Sequence, residues 1–291
     1  MEQTRFVFSA FADEIDASFD GQLAALQALG IRFLELRGVD GKSFTQLTDD
    51  EVRTVDRKLK ETGIGLSALA SPIGKIDTNG DFASHKALLS RIMDIGDMLG
   101  CKRIRMFSFY PGNADRVSFE KTVFAWINEL LDMAEARGFT LCHENEKDIY
   151  GCSPEEELAL LSHFGGRLKA VLDPGNFAFC KLDASKGYPL LKDYTEYFHI
   201  KDADEDGVIV PPGKGKACLA KTLESIAADR KGQTVFLTME PHLMVFEGLS
   251  SLSKLDDIKH KYTFASPFEA FETAYKATKE MALQVGTVAE A

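Results

Sequence analysis

The chain has 291 residues, 45% hydrophobic and 27% charged, with a formal net charge of −11 at pH 7. That length can bury a barrel-sized core, and the acidic balance argues against a protein that grips phosphate backbones through Lys and Arg, so no nucleic-acid partner is expected. The five cysteines are scattered and lack paired metal spacing, no apolar run reaches the roughly 20 residues of a membrane span, and no leader pattern opens the chain, so the expectation is a cytoplasmic protein with no membrane partner.

The first β-prone run covers residues 6–11 and is followed by Asp13 and Glu14. Phe19, Leu23, Leu26 and Leu29 recur at helical spacing and predict a helix over 18–29, stopped by Gly30. A second strand over 31–36 ends in Glu35-Leu36-Arg37, and Thr48-Asp49-Asp50-Glu51 has the capping-box pattern that opens a helix ending near Gly63. A third strand at 64–69 leads into a loop carrying Ser71 and Lys75, and a helix over 82–99 ends at Gly100. The fourth strand is read over 103–109. The helix after it, 118–137, carries Phe119, Val123, Trp126, Leu130 and Met133 on one stripe that belongs in a core.

Residues 139–143 form the fifth strand, and Ser153-Pro154 caps and opens the next helix. The sixth strand (168–172), a short helix (184–192), the seventh strand (197–200), a helix (219–229) and the eighth strand (234–239) follow. After a long loop, Pro267 opens a last helix to about 284, and 285–291 reads as a frayed tail. Pro211-Pro212-Gly213-Lys214-Gly215-Lys216 lacks P-loop spacing, so its glycines do not argue for a nucleotide. Strand then helix, eight times, with no linker and no low-complexity segment, predicts an α/β fold: a single (β/α)8 TIM barrel spanning 1–291 as one domain.

Four successive strands end in a group able to bind a divalent metal: Glu144, Asp173, His199 and Glu240. In a parallel barrel all strand C-termini face one mouth, so these four form one candidate site. Oxygen and imidazole ligands without thiolate lean towards Mn or Mg, with Co or Zn as options. Such a metal polarises a carbonyl and stabilises an enediolate. Taken singly, each of the four reads equally well as a strand-end cap or salt-bridge partner, and His199 as a satisfied core histidine.

Glu35, Arg37, Lys75 and Arg105 end or follow strands two to four and are candidate substrate contacts. A basic group there suits a phosphate or carboxylate, while a structural ion pair, for example between Arg105 and a neighbouring carboxylate, is the other reading. Lys201 is expected to donate to substrate, or to carry a proton if burial lowers its pKa. His143, one residue before Glu144, points the other way by strand alternation.

The motifs His143-Glu144-Asn145, Asp173-Pro174-Gly175-Asn176, His199-Ile200-Lys201-Asp202 and Glu240-Pro241 resemble those of the xylose isomerase-like TIM barrel superfamily. That group includes sugar phosphate isomerases/epimerases, ketose 3-epimerases, inosose dehydratases and the endonuclease IV type of AP endonuclease. The resemblance implies a metal held by Glu144, Asp173, His199 and Glu240, with Glu144 and Glu240 also acting as an acid/base pair on opposite faces of the substrate. It adds Asn176 to the expected substrate contacts.

The departures narrow the choice. Endonuclease IV and the ketose 3-epimerases carry histidine where Asn176 stands, and the epimerases carry glutamate and arginine where Tyr150 and Glu205 stand. The resemblance therefore implies a metal-dependent sugar or sugar phosphate isomerase/epimerase working by proton abstraction next to a carbonyl through a metal-stabilised enediolate. The alternative is an inosose dehydratase-like lyase on a cyclic polyol or sugar acid, and a third reading is a non-catalytic sugar-binding barrel. The expected partner is a small sugar or sugar derivative, and a homodimer is an option, since dimers are common among such barrels.

Overall fold

The structure, a computed structural model, describes residues 2–245 and 261–289. Eight barrel strands run in chain order: β1 (Arg5–Ala10), β2 (Phe33–Leu36), β3 (Gly65–Ala70), β4 (Arg103–Met106), β5 (Thr140–Glu144), β6 (Lys169–Leu172), β7 (Thr195–Ile200) and β8 (Thr234–Met239). Each pairs in parallel with its sequence neighbour, and β8 closes on β1 with Arg5 opposite Thr234 and Ala10 opposite Met239. The closed (β/α)8 barrel expected from the alternation is the observed fold.

The helices are α1 (Phe19–Leu29), α2 (Asp49–Thr62), α3 (Phe82–Leu99), α4 (Arg116–Glu135), α5 (Pro154–His163), α6 (Pro174–Phe179), α7 (Gly187–Leu191), α8 (Leu219–Asp229) and α9 (Pro267–Val285). Their ends follow local chemistry. Thr48 and Glu51 form a reciprocal capping box on α2, and Ser153 and Ser266 cap helices whose first residue is proline. Gly30, Gly63 and Gly100 close α1, α2 and α3 in the left-handed conformation. Among the described residues no helix is long and apolar enough to cross a membrane.

Three local features differ from the sequence reading. The fourth strand stops at Met106 rather than Phe109: the Phe107 N–H bonds to the Ile73 carbonyl across a loop, and Phe109 has φ 72°, which ends any extended run. The supposed frayed tail is ordered as far as it is described, because Thr287–Val288 pairs in parallel with β1 at Arg5 and Phe6. Two short hairpins, Gly38–Val39 with Lys42–Ser43 and Asp202–Ala203 with Ile209–Val210, sit on the C-terminal side of β2 and β7. Most of the long loop after β8, residues 246–260, lies outside the described residues.

The main apolar core lies between barrel and helices and includes Phe6, Leu34, Ile104, Leu172 and Phe198 from the strands. A second, small cluster of Ala68, Cys142, Val171 and Tyr197, with Phe236 against it, is separate. Strand side chains alternate with a period of two. The residues two positions on from Cys142, Val171, Tyr197 and Phe236 are Glu144, Asp173, His199 and Thr238, so a polar layer follows the apolar one towards the strand C-termini.

Candidate metal centre and active site

Glu144, Asp173, His199 and Glu240 each offer one ligand atom, and those atoms all lie within 4.8 Å of one another. His199 is the hub. Its Nδ1 is 3.0 Å from Glu144 Oε1 and 3.3 Å from Glu240 Oε2, while its Nε2 faces Glu35 Oε2 at 3.1 Å. Glu35 also accepts from the Tyr197 hydroxyl at 2.8 Å and from Thr238 Oγ1 at 2.8 Å, so both its oxygens are engaged inside the barrel. The expectation of Glu35 as a substrate contact meets this placement: its side chain is fully buried and holds His199.

The Asp173-Pro174-Gly175-Asn176 turn is built by three features. Asp173 Oδ1 caps α6 by accepting the Asn176 N–H at 3.1 Å, and Pro174 takes the first helical position. Asn145 locks the turn to β5, donating Nδ2–H to the Asp173 carbonyl and accepting the Asp173 N–H, both at 2.9 Å. Gly175 lies against the Lys201 backbone, where a Cβ would meet the carbonyl oxygen at 2.4 Å. Asn176 then donates to Glu144 Oε1 at 3.3 Å and to the Asn145 carbonyl at 2.9 Å, so the structure places it as a positioner of Glu144.

The cations expected at the mouth all have carboxylate neighbours. Arg105 Nη1 donates to Glu144 Oε2 at 3.1 Å, and Arg37 Nη1 donates to Glu240 Oε1 at 3.0 Å. Each glutamate thus has an arginine of its own. Arg37 is further gripped by Asp13 through Nε at 2.8 Å and Nη2 at 3.0 Å. Lys201 Nζ lies 3.0 Å from Asp173 Oδ2 and 3.5 Å from Glu240 Oε2. Lys75 pairs with Glu146 at 2.9 Å. His143, on the opposite face of β5, is buried against Glu157 at 2.9 Å and away from the cluster.

The electrostatics follow from burial and neighbours. Burial opposes ionisation of Glu144, but His199 and Arg105 outweigh it and bring its carboxyl down to about 2. Burial pushes Asp173 up to about 6 against the pull of Lys201. Glu240 is held well below the carboxylate range because Lys201, His242 and His199 outweigh its burial. Burial alone would lower Lys201, yet Asp173, Glu240 and Glu144 raise it, so it stays an ammonium. A proton-carrier role that needs a depressed lysine pKa has no support here.

Several residues in this layer were not singled out as site residues in the sequence reading. Glu14 and His242 join Glu240 in a second group of potential ligand atoms, with His242 Nε2 at 3.3 Å from both Glu14 Oε1 and Glu240 Oε1. Burial pushes Glu14 up to about 8 and His242 down to about 4. His242 has φ 49°, an unusual conformation for a non-glycine residue and one that strand-end sites tolerate. The legible signal was the period of two: His242 follows Glu240, and Glu146 follows Glu144, at that spacing.

The residues fit a divalent cation. The donor set is three carboxylates and one imidazole, all buried, and Asp173 Oδ2 has the Lys201 ammonium at 3.0 Å. The contact of His199 Nε2 with Glu35 leaves Nδ1 facing the carboxylates, the arrangement that second-shell carboxylates impose on ligating histidines.

A closed (β/α)8 barrel with a carboxylate–histidine cluster at the strand C-termini defines the class. The family model described as xylose isomerase-like TIM barrel matches residues 23–252, and the chain belongs to that family. No curated protein matches the chain in sequence. Among solved structures, the D-allulose 3-epimerase from Methylomonas sp. is 18% identical with a TM-score of 0.72, covering 95% of this chain and 98% of that one. The probable 3-DHS dehydratase AsbF from Bacillus anthracis is 12% identical with a TM-score of 0.70, covering 93% and 97%. A xylose isomerase-like TIM barrel protein from Mycobacterium smegmatis, in complex with magnesium, is 16% identical with a TM-score of 0.67, covering 96% and 97%. At these identities the likeness is one of fold.

Proposed function

We propose that the protein is a metal-dependent enzyme that isomerises or epimerises a sugar or sugar derivative by moving a proton next to a carbonyl. The observation that carries this reading is the convergence of Glu144, Asp173, His199 and Glu240, with the two glutamates approaching His199 Nδ1 from strands β5 and β8. Glu144, Asp173, His199 and Glu240 would hold the metal, which when bound polarises a carbonyl and stabilises an enediolate. The similar D-allulose 3-epimerase and the magnesium complex agree with this chemistry without assigning it.

In this reading Glu144 and Glu240 are the proton acceptor and donor at the substrate carbon, one on each face. Their cationic neighbours favour the carboxylate form of each, so either can accept; the one that donates must first take up a proton from solvent, and that proton replaces the one removed from carbon. Arg105 and Arg37 each fix one oxygen of their glutamate, so the proton moves at Glu144 Oε1 or Glu240 Oε2, the oxygens turned to the cluster. Lys201, held as an ammonium, donates to a substrate oxygen. The protein is then a cytoplasmic carbohydrate enzyme using Mn or Mg.

Dehydration is the second reading. Tyr150, standing where the ketose 3-epimerases carry glutamate, is buried against Phe119 and Phe124 rather than at the mouth, and Asn176 is tied to Glu144. An enediolate that lacks those epimerase contacts can expel a β-hydroxyl, which leaves as water with the proton that a glutamate took from carbon, while Lys201 donates a hydrogen bond to the departing oxygen. Metal analysis of the purified protein followed by incubation with a sugar panel in deuterated water tests both. Deuterium at carbon without mass loss supports isomerisation or epimerisation, loss of water supports the lyase, and binding with neither change overturns the enzyme reading.

A further inference from the structure

Beyond Ile200 the chain of β7 runs on into Lys201 and Asp202. Side chains alternate along it, so His199 and Lys201 share the inner face, and Ile200 and Asp202 turn away from it. Ile200 belongs to the core between barrel and helices. Asp202 is 1% exposed, and its partners are backbone N–H groups. Its Oδ1 accepts from Ala203 at 3.0 Å and from Ala217 at 2.9 Å, and its Oδ2 accepts from Gly213 and Gly215, both at 2.9 Å. All four favour the ionised carboxylate against its burial.

Three of those donors come from the glycine-rich run 211–217. Its two glycines permit the wrap. Gly213 has φ 85°, and a Cβ on Gly215 would run into Asp202 Oδ1 and the Ala203 carbonyl. The Lys216 N–H donates to that same carbonyl at 2.7 Å, and Ile209–Val210 pairs with Asp202–Ala203 ahead of the turn. Successive N–H groups turned inwards form a nest of the kind that binds anions. Here the anion is the chain's own carboxylate, so the run needs no phosphate to organise it.

Lys201 is thereby held from two directions. On one side Gly175 packs against its backbone and leaves no room for a Cβ. On the other, Asp202 ties the next residue to a loop that ends 15 positions further on. Lys201 is 5% exposed, and its Nζ reaches Asp173 after β6 at 3.0 Å and Glu240 after β8 at 3.5 Å.

We infer that Asp202 is a positioning residue: by drawing the 211–217 loop onto the end of β7, it fixes the backbone from which Lys201 reaches Asp173 and Glu240. That the held ammonium serves a substrate oxygen rests on the proposed function; the holding itself does not. The carboxylate matters for its acceptors. Asn has the same shape but turns a donor group towards two of the N–H donors.

The test uses the full chain with Mn bound. Brief acetylation followed by peptide mass spectrometry reads how far Lys201 is shielded, with the exposed Lys60 as reference. Wild type, Asp202→Asn and Gly215→Ala are compared. Gly215→Ala pushes the loop away without touching the charge, so it keeps the test open if Asp202→Asn fails to fold. Lys201 acetylation is expected to rise about tenfold in either variant, the scale of one lost hydrogen bond to a charged group, while Lys60 labelling and the Mn dissociation constant are unchanged. Unchanged Lys201 labelling in both variants overturns the inference. Labelling that rises only together with loss of Mn also overturns it, because a merely structural role moves His199 and Lys201 together. Deuterium exchange into the sugar panel separates this inference from the proposed function. Shielding lost with no change in exchange rate leaves the positioning standing and removes Lys201 from the reaction. No exchange in wild type leaves the positioning standing and removes the enzyme reading.

Discussion

Glu35 Oε2 and His199 Nε2 lie 3.1 Å apart, and neither residue has any exposed surface. This contact joins β2 to β7 across the barrel interior and decides which imidazole nitrogen faces the carboxylates. The remaining hydrogen bonds of Glu35, to Tyr197 and Thr238, come from β7 and β8, so one carboxylate fixes three strands and one ligand. Burying an ionised group with fewer partners would be costly. The placement reads as support for the site beneath the residues that would do chemistry.

Glu35→Gln keeps size and removes the charge behind His199. We expect metal affinity to fall about 10- to 100-fold, the usual effect of losing an outer-shell partner, with the apparent KM at saturating metal little changed. Equal Mn dissociation constants for the two proteins, measured by calorimetry, would show that the Glu35 contact is packing only.

His199→Ala removes the imidazole at the centre of the cluster. The variant is expected to lose most bound Mn or Mg after dialysis while its circular dichroism stays native, since Ala supplies no coordinate bond. Unchanged metal content in the dialysed variant would assign His199 to the core and not to the metal.

Glu240→Gln retains size and one potential ligand oxygen. We expect it to keep part of its metal and to lose turnover by about 100-fold or more, the scale of removing a general acid or base. Full recovery of rate at excess Mn would restrict Glu240 to coordination and leave Glu144 as the base.

His85 gives a pH prediction away from the metal cluster. Its Nε2 accepts the Gly74 N–H at 2.6 Å, and burial lowers its pKa from 6.5 to about 4. The folded value is below the unfolded one, so the neutral ring contributes stability that is complete above pH 6.5 and is lost as pH falls towards 4. Other groups titrate in this window, so the observable is the difference between wild type and His85→Gln. The stability gap, about 2 kcal/mol at most after allowing for solvent, should narrow from pH 7 to pH 4 in urea melts. A gap that is constant with pH would contradict this role.

The barrel and the four converging residues were legible because each rests on a local rule. Strand runs, helix caps such as Thr48 with Glu51, and stops at Gly30, Gly63 and Gly100 are set by residues close in sequence. Eight such units leave little choice of topology, since crossovers between parallel strands have one hand. The ends of those strands must then share a mouth, and the sequence alone placed Glu144, Asp173, His199 and Glu240 at four of them.

What the tertiary structure decided was the use each side chain makes of its position. Glu35 and Asn176 looked like substrate contacts, but their partners come from residues distant in sequence, and those partners turn them towards His199 and Glu144. The ordering of Thr287–Val288 depends on an edge of β1 that no local pattern announces. Glu14 meets His242 across 228 positions of chain, and the acids paired with Arg37, Arg105 and Lys75 become counter-charges only once the barrel has closed. Periodicity and caps act over a few residues. Hydrogen-bond partners, burial and ion pairs are set by strands meeting in space, and closure of the ring is what brings them together.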